Sequence, residues 1–161
     1  MEEDTLNPAP VEAPRGMYNG KLDDKGRLKM PVPFQEYLNS FTEKKLFVTS
    51  VDNTTAQIYP ISVWRENEQL FKISRAVSRS AKELSFLAND LGADAEMDAQ
   101  GRILLNPELR RDLDMDGHAL RLVSEKGRIQ ILTEAVYQAH RKAARANALA
   151  NLEAMEEAGM L

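Results

Sequence analysis

The chain has 161 residues, 43% of them hydrophobic and 29% charged, and a formal net charge of −4. That length suits one compact body or two small halves sharing a core, and no apolar run approaches a membrane-spanning length. The absence of cysteine excludes disulfides, thiolate metal sites and cysteine nucleophiles. Because the N-terminus is acidic and proline-containing, unlike a signal peptide, we expect a cytoplasmic protein.

Residues 1–14 contain three prolines and four carboxylates, without lysine or arginine. This composition predicts a disordered acidic tail. The rest of the chain has no net charge, because it holds all 21 basic residues and 21 of the 25 acidic residues. Its charge is uneven: the segment 15–29 has a net charge of +3, whereas the segment 90–102 has −3.

The segment Met17–Met30 predicts a β-hairpin, with a turn at Asp24–Gly26 whose glycine supplies a positive φ. On its outgoing strand, Leu28 and Met30 share one face. Arg27 and Lys29 therefore lie on the opposite face.

The predicted elements then follow in chain order. Prolines 31 and 33 end the strand, and the segments that follow predict a short helix at Phe34–Leu38 and strands at Leu46–Val51 and Ala56–Tyr59. From Ser62, the predicted N-cap, to Gly92 the spacing of apolar residues is helical. Since Ser78–Ser80 interrupts that spacing, one helix or two are equally compatible with it.

The order of elements then recurs. We predict a turn at Asp98–Gly101, a short helix at Pro107–Leu113, and strands at Ala119–Ser124 and Arg128–Leu132. A final alanine-rich helix begins near Thr133 and ends before Gly159. Its partial apolar stripe suits packing on the fold or contact with another subunit.

This recurrence reflects an internal repeat. Leu22–Met30 and Met97–Leu105 lie 75 positions apart, and both read apolar-Asp-x-x-Gly-Arg-apolar-x-apolar. A repeat on this scale indicates one structural unit used twice. Each unit has only about 45 residues, too few for a core of its own, so we expect one intertwined, β-rich α+β body.

The first repeat carries a cluster of basic residues. Arg27 and Lys29 share a strand face, Lys25 lies at the turn, and Lys21 lies on the predicted partner strand. Such cations neutralise phosphates, and arginine also bonds guanine with two hydrogen bonds. The alternative is a solvated edge protected by lysines. The repeat favours nucleic-acid contact.

Each repeat also places an aspartate and an arginine on opposite sides of its turn. We expect Asp23 and Asp98 to shape the turns, by an ion pair or by accepting N–H bonds. Arg27 and Arg102 then point at least partly outward. In the second copy we expect Asp98 and Arg102 to act mainly by shaping the turn.

Other chemistry has little support in the sequence. The segment 112–117 imitates the start of a calcium loop, but Val123 occupies the position that requires a bidentate glutamate. The histidines, at positions 118 and 140, lie in different predicted elements. We therefore expect no enzyme activity, no metal, no cofactor and no small-molecule substrate.

The doubled motif resembles the SpoVT/AbrB swapped-hairpin domain of bacterial DNA-binding proteins. Two such domains in tandem, joined by helices and followed by a C-terminal helix, resemble the MraZ family. The opening Arg15–Tyr18, set before Leu22–Leu28, is similar to the start of that family. The resemblance covers residues 15 to about 140.

The resemblance implies a pseudo-twofold body of two repeats. Together with the predicted elements it divides the chain into a first repeat (15–60), a helical linker (61–91), a second repeat (92–132) and a C-terminal helix (133–161). The acidic tail (1–14) precedes the part that resembles the family. The resemblance also implies a ring-shaped homo-oligomer that regulates transcription. Such a ring binds repeated short sites on double-stranded DNA, typically upstream of a cell-division and cell-wall gene cluster, and so would be associated with the nucleoid.

The resemblance marks Asp23, Arg27, Asp98 and Arg102 as the motif residues. The nucleic-acid-binding residues that we predict are Arg15, Lys21, Lys25, Arg27, Lys29 and Arg102. Two alternatives remain: a protein-interaction module, such as an antitoxin-like partner, and a scaffold in which the assembly is itself the function.

Overall fold

A computed structural model of the chain describes residues 11–74 and 78–161. Within them the chain is an α+β protein built around antiparallel β-sheets. Residues 1–10, most of the predicted acidic tail, lie outside the described residues. Disorder of that segment therefore stays a prediction.

The strands and helices follow each other closely along the chain. The strands are β1 (Met17–Lys21), β2 (Arg27–Lys29), β3 (Leu46–Thr49), β4 (Ala56–Pro60), β5 (Ala93–Ala95), β6 (Arg102–Leu104), β7 (Ala119–Glu125) and β8 (Arg128–Thr133). The helices are α1 (Val32–Asn39), α2 (Ile61–Ile73), α3 (Ser78–Asp90), α4 (Pro107–Asp112), α5 (Glu134–Ala146) and α6 (Ala148–Glu157). These bounds confirm the predicted elements of the second copy to within a residue or two.

The main sheet mixes strands from both halves of the chain. Its order is β1-β7-β8-β4-β3-β5, and every neighbouring pair is antiparallel. The sequence repeat relates β1 to β5, β3 to β7 and β4 to β8, so exchanging the two copies leaves this order unchanged. At its centre Gln57 lies opposite Gln130. The two halves therefore complete one sheet, as their small size requires.

The predicted hairpin between Met17 and Met30 is wrong in its strand pairing. The turn forms, but β1 pairs along its whole length with β7, and a single bridge joins Leu22 to Leu28. β2 instead pairs with β6 in a separate two-stranded sheet. β7 offers β1 a five-residue ladder, a longer one than the three-residue β2 can provide.

One hydrophobic core contains residues of both copies. Leu28 and Phe34 from the first copy, and Ile103 and Leu109 from the second, have no exposed surface. Met30 is also buried, which confirms the predicted inward face of β2.

Helices α2 and α3 cover the other face of β3 and β4. Trp64 of α2 stacks on Phe47, with ring centroids 4.7 Å apart, and lies 4.8 Å from the Tyr59 ring. With both faces covered, β3 and β4 are buried throughout.

The linker contains two helices, with residues 75–77 between them outside the described part. The predicted N-cap at Ser62 is wrong, because α2 already begins at Ile61 after Pro60. The Ser62 hydroxyl is buried and has no hydrogen-bond partner among the described residues.

The C-terminal segment begins as predicted, since the Thr133 hydroxyl caps α5 by accepting the Val136 N–H at 3.4 Å. The single predicted helix is wrong, because the segment divides into α5 and α6 at Asn147. An asparagine side chain competes for backbone bonds within a helix, and here its amide donates to the Ala143 carbonyl at 3.3 Å. None of the described residues of α5 or α6 is buried.

Candidate nucleic-acid interface

The turn before β2 is held by one aspartate. The Asp23 carboxylate accepts the backbone N–H of Lys25 at 3.0 Å and that of Arg27 at 2.9 Å. Its second oxygen accepts the Arg27 Nε–H at 2.7 Å. Gly26 closes the turn with a φ of +82°, a conformation that a glycine adopts without strain.

The turn before β6 has the same construction. Asp98 accepts the backbone N–H groups of Gln100 and Arg102 at 3.0 and 2.8 Å, and the Arg102 Nε–H at 2.8 Å. Gly101 has a φ of +77°. The two aspartates thus shape their turns both by an ion pair and by accepting N–H bonds, the two means that the sequence left open.

These bonds set the charge state of both aspartates. The backbone N–H of Arg27 lowers the pKa of Asp23 below its ordinary value, and the Arg27 side chain acts in the same direction against the effect of partial burial. The backbone N–H of Arg102 lowers the pKa of Asp98 in the same way. Both carboxylates are therefore ionised at neutral pH, and each offsets the charge of its own arginine.

The antiparallel strands β2 and β6 join the turns into one structure, which we call the ribbon (residues 23–30 and 98–105). Lys29 lies opposite Arg102, and Arg27 lies opposite Leu104. Since Leu28 and its partner in β6 point into the core, these four side chains share the outer face.

Each turn is also anchored to the other copy. The Leu105 N–H donates to the Gly26 carbonyl at 3.0 Å, and the Met30 N–H donates to the Gly101 carbonyl at 2.8 Å. The ribbon is therefore one unit to which both repeats contribute equally.

Several predicted residues lie on or next to this ribbon. Lys25 and Lys29 are exposed, and the Lys29 ammonium donates to the Gln100 carbonyl of the other turn. The side chains of Arg27 and Arg102 are 29% and 28% exposed. Three predicted cations thus share the ribbon's outer face, with Lys25 at one end.

Lys21 lies elsewhere than predicted. It is on β1, opposite Ala119 of β7, so it is not on a partner strand of β2. It is nevertheless close to the ribbon, because Lys21 and Lys29 line the same groove, of about 610 Å³, together with residues of α1.

Arg15 precedes β1 and is not brought into contact with the ribbon. Its side chain is 85% exposed and pairs with Glu12 at 3.3 Å. A pair this exposed is weak and leaves the guanidinium available to solvent.

Charge differs between the two turns although their geometry does not. Residues 21–29 carry four cations and two anions, a net charge of +2, whereas residues 96–104 carry one cation and two anions, a net charge of −1. Glutamate, glutamine and leucine at positions 96, 100 and 104 replace three lysines of the first copy.

Sequence reasoning missed one cation at the first turn. The Arg110 guanidinium, from α4, lies against Gly26, and Gln35 of α1 occupies the equivalent place against Gly101. The signal was available, since these positions are also 75 residues apart, but only the strand pairing shows that each side chain contacts the opposite turn.

The described residues contain no group of three or more histidine, aspartate or glutamate side chains placed to hold a metal ion. The helices in this part of the chain are also too short or too polar to cross a membrane.

Comparison with known proteins finds similar sequences that carry one name. No protein-family model matches the chain. It is similar to the transcriptional regulator MraZ of Acidobacterium capsulatum, with 36% identity over 105 residues, 64% of this chain and 70% of that protein. The MraZ of Koribacter versatilis is 32% identical over 104 residues, covering 64% and 71%. The MraZ of Methylococcus capsulatus is 29% identical over 145 residues, covering 90% and 93%.

Proposed function

The chain belongs to the MraZ family of transcriptional regulators, and from this premise we propose that it binds double-stranded DNA through the outer face of its ribbon. The observation that carries the proposal is the arrangement of Arg27, Lys29 and Arg102 on that face. The major groove of B-DNA admits a two-stranded β-ribbon of this kind.

Arg27 is the residue whose orientation best suits hydrogen bonding to a base edge. Asp23 accepts the Arg27 Nε–H, which fixes the orientation of the guanidinium, and the terminal nitrogens donate no hydrogen bond to the described residues. A guanidinium fixed in this way suits a bidentate contact with O6 and N7 of guanine. Lys25 and Lys29 supply phosphate contacts on either side of Arg27. Lys21 extends the basic surface along the protein groove that it lines with Lys29.

Assembly completes the proposed mechanism. One subunit offers a small basic surface and would bind DNA weakly. A ring of subunits presents several ribbons, and linked weak contacts at matched spacing combine into high avidity. This suits an operator of repeated short sequences, which we place upstream of a cell-division and cell-wall gene cluster. The protein would then act in the cytoplasm, at the nucleoid.

The finer fold assignment is part of the same proposal. Two swapped-hairpin domains of the SpoVT/AbrB type (residues 15–60 and 92–132), related by a pseudo-twofold axis, are supported by the symmetric strand order. They are also supported by the matching turns at Asp23 and Asp98.

A protein-interaction role without DNA binding is the second candidate. Ile73 and Phe86, on the linker helices, are 71% and 70% exposed. Large exposed apolar side chains mark a contact with another protein where they form one continuous patch. The same residues also suit contact between subunits of a ring.

Salt-dependent binding separates the two functions. Binding of the assembled protein to its own upstream promoter fragment, followed by fluorescence anisotropy, should weaken steeply between about 50 and 200 mM salt, by roughly 0.9 log–log units per phosphate contact. Arg27→Ala should lose most of this affinity while assembly, checked by sedimentation, is preserved.

Arg102→Ala is the matched control, because it removes the same turn bond from the second copy. A smaller loss of affinity is expected for Arg102→Ala than for Arg27→Ala. Wild-type protein without salt-dependent binding would count against the proposal, and so would Arg27→Ala with full affinity.

A further inference from the structure

Arg110 belongs to the second repeat but lies at the basic turn of the first. A Cβ built on Gly26 would come within 2.4 Å of the Arg110 Cζ, so the guanidinium lies directly against the turn backbone. The bond from Leu105 to the Gly26 carbonyl fixes this approach, because α4 follows shortly after Leu105 in the chain.

In both copies a side chain from the other copy packs against the turn glycine, but only the side chain at the first turn is charged. Gln35 lies against Gly101 in the way that Arg110 lies against Gly26. The Gln35 amide donates to the Met30 carbonyl at 2.7 Å, so a neutral side chain is sufficient to support a turn of this shape. The positive charge at position 110 therefore has no structural counterpart in the other copy.

Hydrogen bonds within the described residues occupy only part of the N–H donors of the Arg110 guanidinium. Its Nη1 donates to the two carboxylate oxygens of Asp116 at 3.1 and 3.3 Å. Its Nε is buried and has no partner among the described residues. The Arg110 side chain is 15% exposed and Asp116 is 63% exposed, so the carboxylate lies on the solvent side of the pair. An incoming anion therefore reaches the arginine by taking the place of Asp116.

We infer that Arg110 binds a backbone phosphate of DNA seated at the first turn, exchanging Asp116 for the phosphate. This inference rests on the proposed function. It adds a second cation from the second repeat, besides Arg102, to a binding surface whose lysines come from the first repeat. Phosphate suits the site, because a guanidinium pairs with it through two parallel hydrogen bonds.

The test is Arg110→Gln, which installs the residue found at the equivalent position of the first repeat. Measured by anisotropy with the assembled protein and the promoter fragment, affinity should fall about tenfold, and the log–log salt slope should fall by about one. Arg111→Gln, an exposed neighbour with the same change of charge, is the control and should leave the slope within about 0.3 of wild type. Asp116→Asn, which removes the competing carboxylate, should raise the affinity.

A purely structural role predicts a different result. Arg110→Gln would then lower the midpoint of thermal unfolding with an unchanged salt slope, and that outcome would overturn the inference. If Arg110→Gln fails to fold, Arg110→Lys replaces it and should keep the wild-type slope; a reduced slope contradicts the phosphate contact. Loss of binding in Arg27→Ala with no effect of Arg110→Gln would overturn this inference alone. Wild-type protein without salt-dependent DNA binding would overturn the proposed function as well.

Discussion

The turns at Asp23 and Asp98 share a backbone and differ in their surroundings. In both, an aspartate accepts two backbone N–H groups and an arginine Nε, and a glycine closes the turn. Around this common geometry the first copy places lysines where the second has glutamate, glutamine and leucine. The comparison teaches that shape and charge are set by different residues, so both repeats can keep the same turn while the first supplies most of the positive charge of the binding surface.

The largest expected effect tests whether the two copies contribute equally to the core. Leu28→Ala and Ile103→Ala each remove a side chain with no exposed surface from equivalent strands. Each should lower the free energy of unfolding by about 2–5 kcal/mol, measured by urea denaturation. Val32, which is 62% exposed, offers a control. Val32→Ala should change the free energy of unfolding by less than about 0.5 kcal/mol. A loss below about 1 kcal/mol for one core variant alone would break the equivalence.

A smaller effect is expected at the turn glycines. Gly26→Ala and Gly101→Ala each place a Cβ at positive φ, which costs about 1–2 kcal/mol. Each Cβ also displaces the side chain that packs on the turn. Gly117 has a φ of +75° with no atom within 4 Å of a built Cβ, so Gly117→Ala measures the backbone term alone. Both turn variants should be less stable than Gly117→Ala in the same denaturation experiment; equal stability would show that the packed side chains move freely.

The smallest effect is a dependence of stability on acid. The pKa values of Asp23 and Asp98 are lowered in the folded protein, so their stabilisation is fully present above the unfolded pKa of about 3.9. It is lost as the pH falls through the lowered values. Asp23→Asn and Asp98→Asn should each flatten the fall in stability below pH 4, to similar extents, in thermal unfolding followed from pH 6 to pH 2. Flattening by one variant alone would show that the turns differ electrostatically.

Local features of the fold could be predicted from the sequence. The spacing of Asp23, Gly26 and Arg27 sets the turn, and the alternation after it sets which side chains of β2 are buried. The repeat then extends both results to the second copy. These predictions depend on interactions within a few residues or on identity between the copies.

Pairing between distant strands could not be predicted. β1 pairs with β7, about 100 residues away, because both repeats are needed to complete the sheet. The same distant contacts place Arg110 against Gly26, which explains why that cation was missed. The break at Asn147 was missed for a different reason, since the alanine content on both sides favours one continuous helix.

The most direct test transfers the neutral residues of the second turn to the first. In Lys25→Gln/Lys29→Leu, the ion pair of Asp23 with Arg27 and the buried face of β2 are left intact. Binding to the promoter fragment should weaken at least tenfold and the salt slope should fall by about two. The unfolding free energy should stay within about 1 kcal/mol of wild type, because the variant loses only the exposed bond from Lys29 to the Gln100 carbonyl. Wild-type affinity and slope in this variant would contradict the claim that charge at the first turn makes the binding surface.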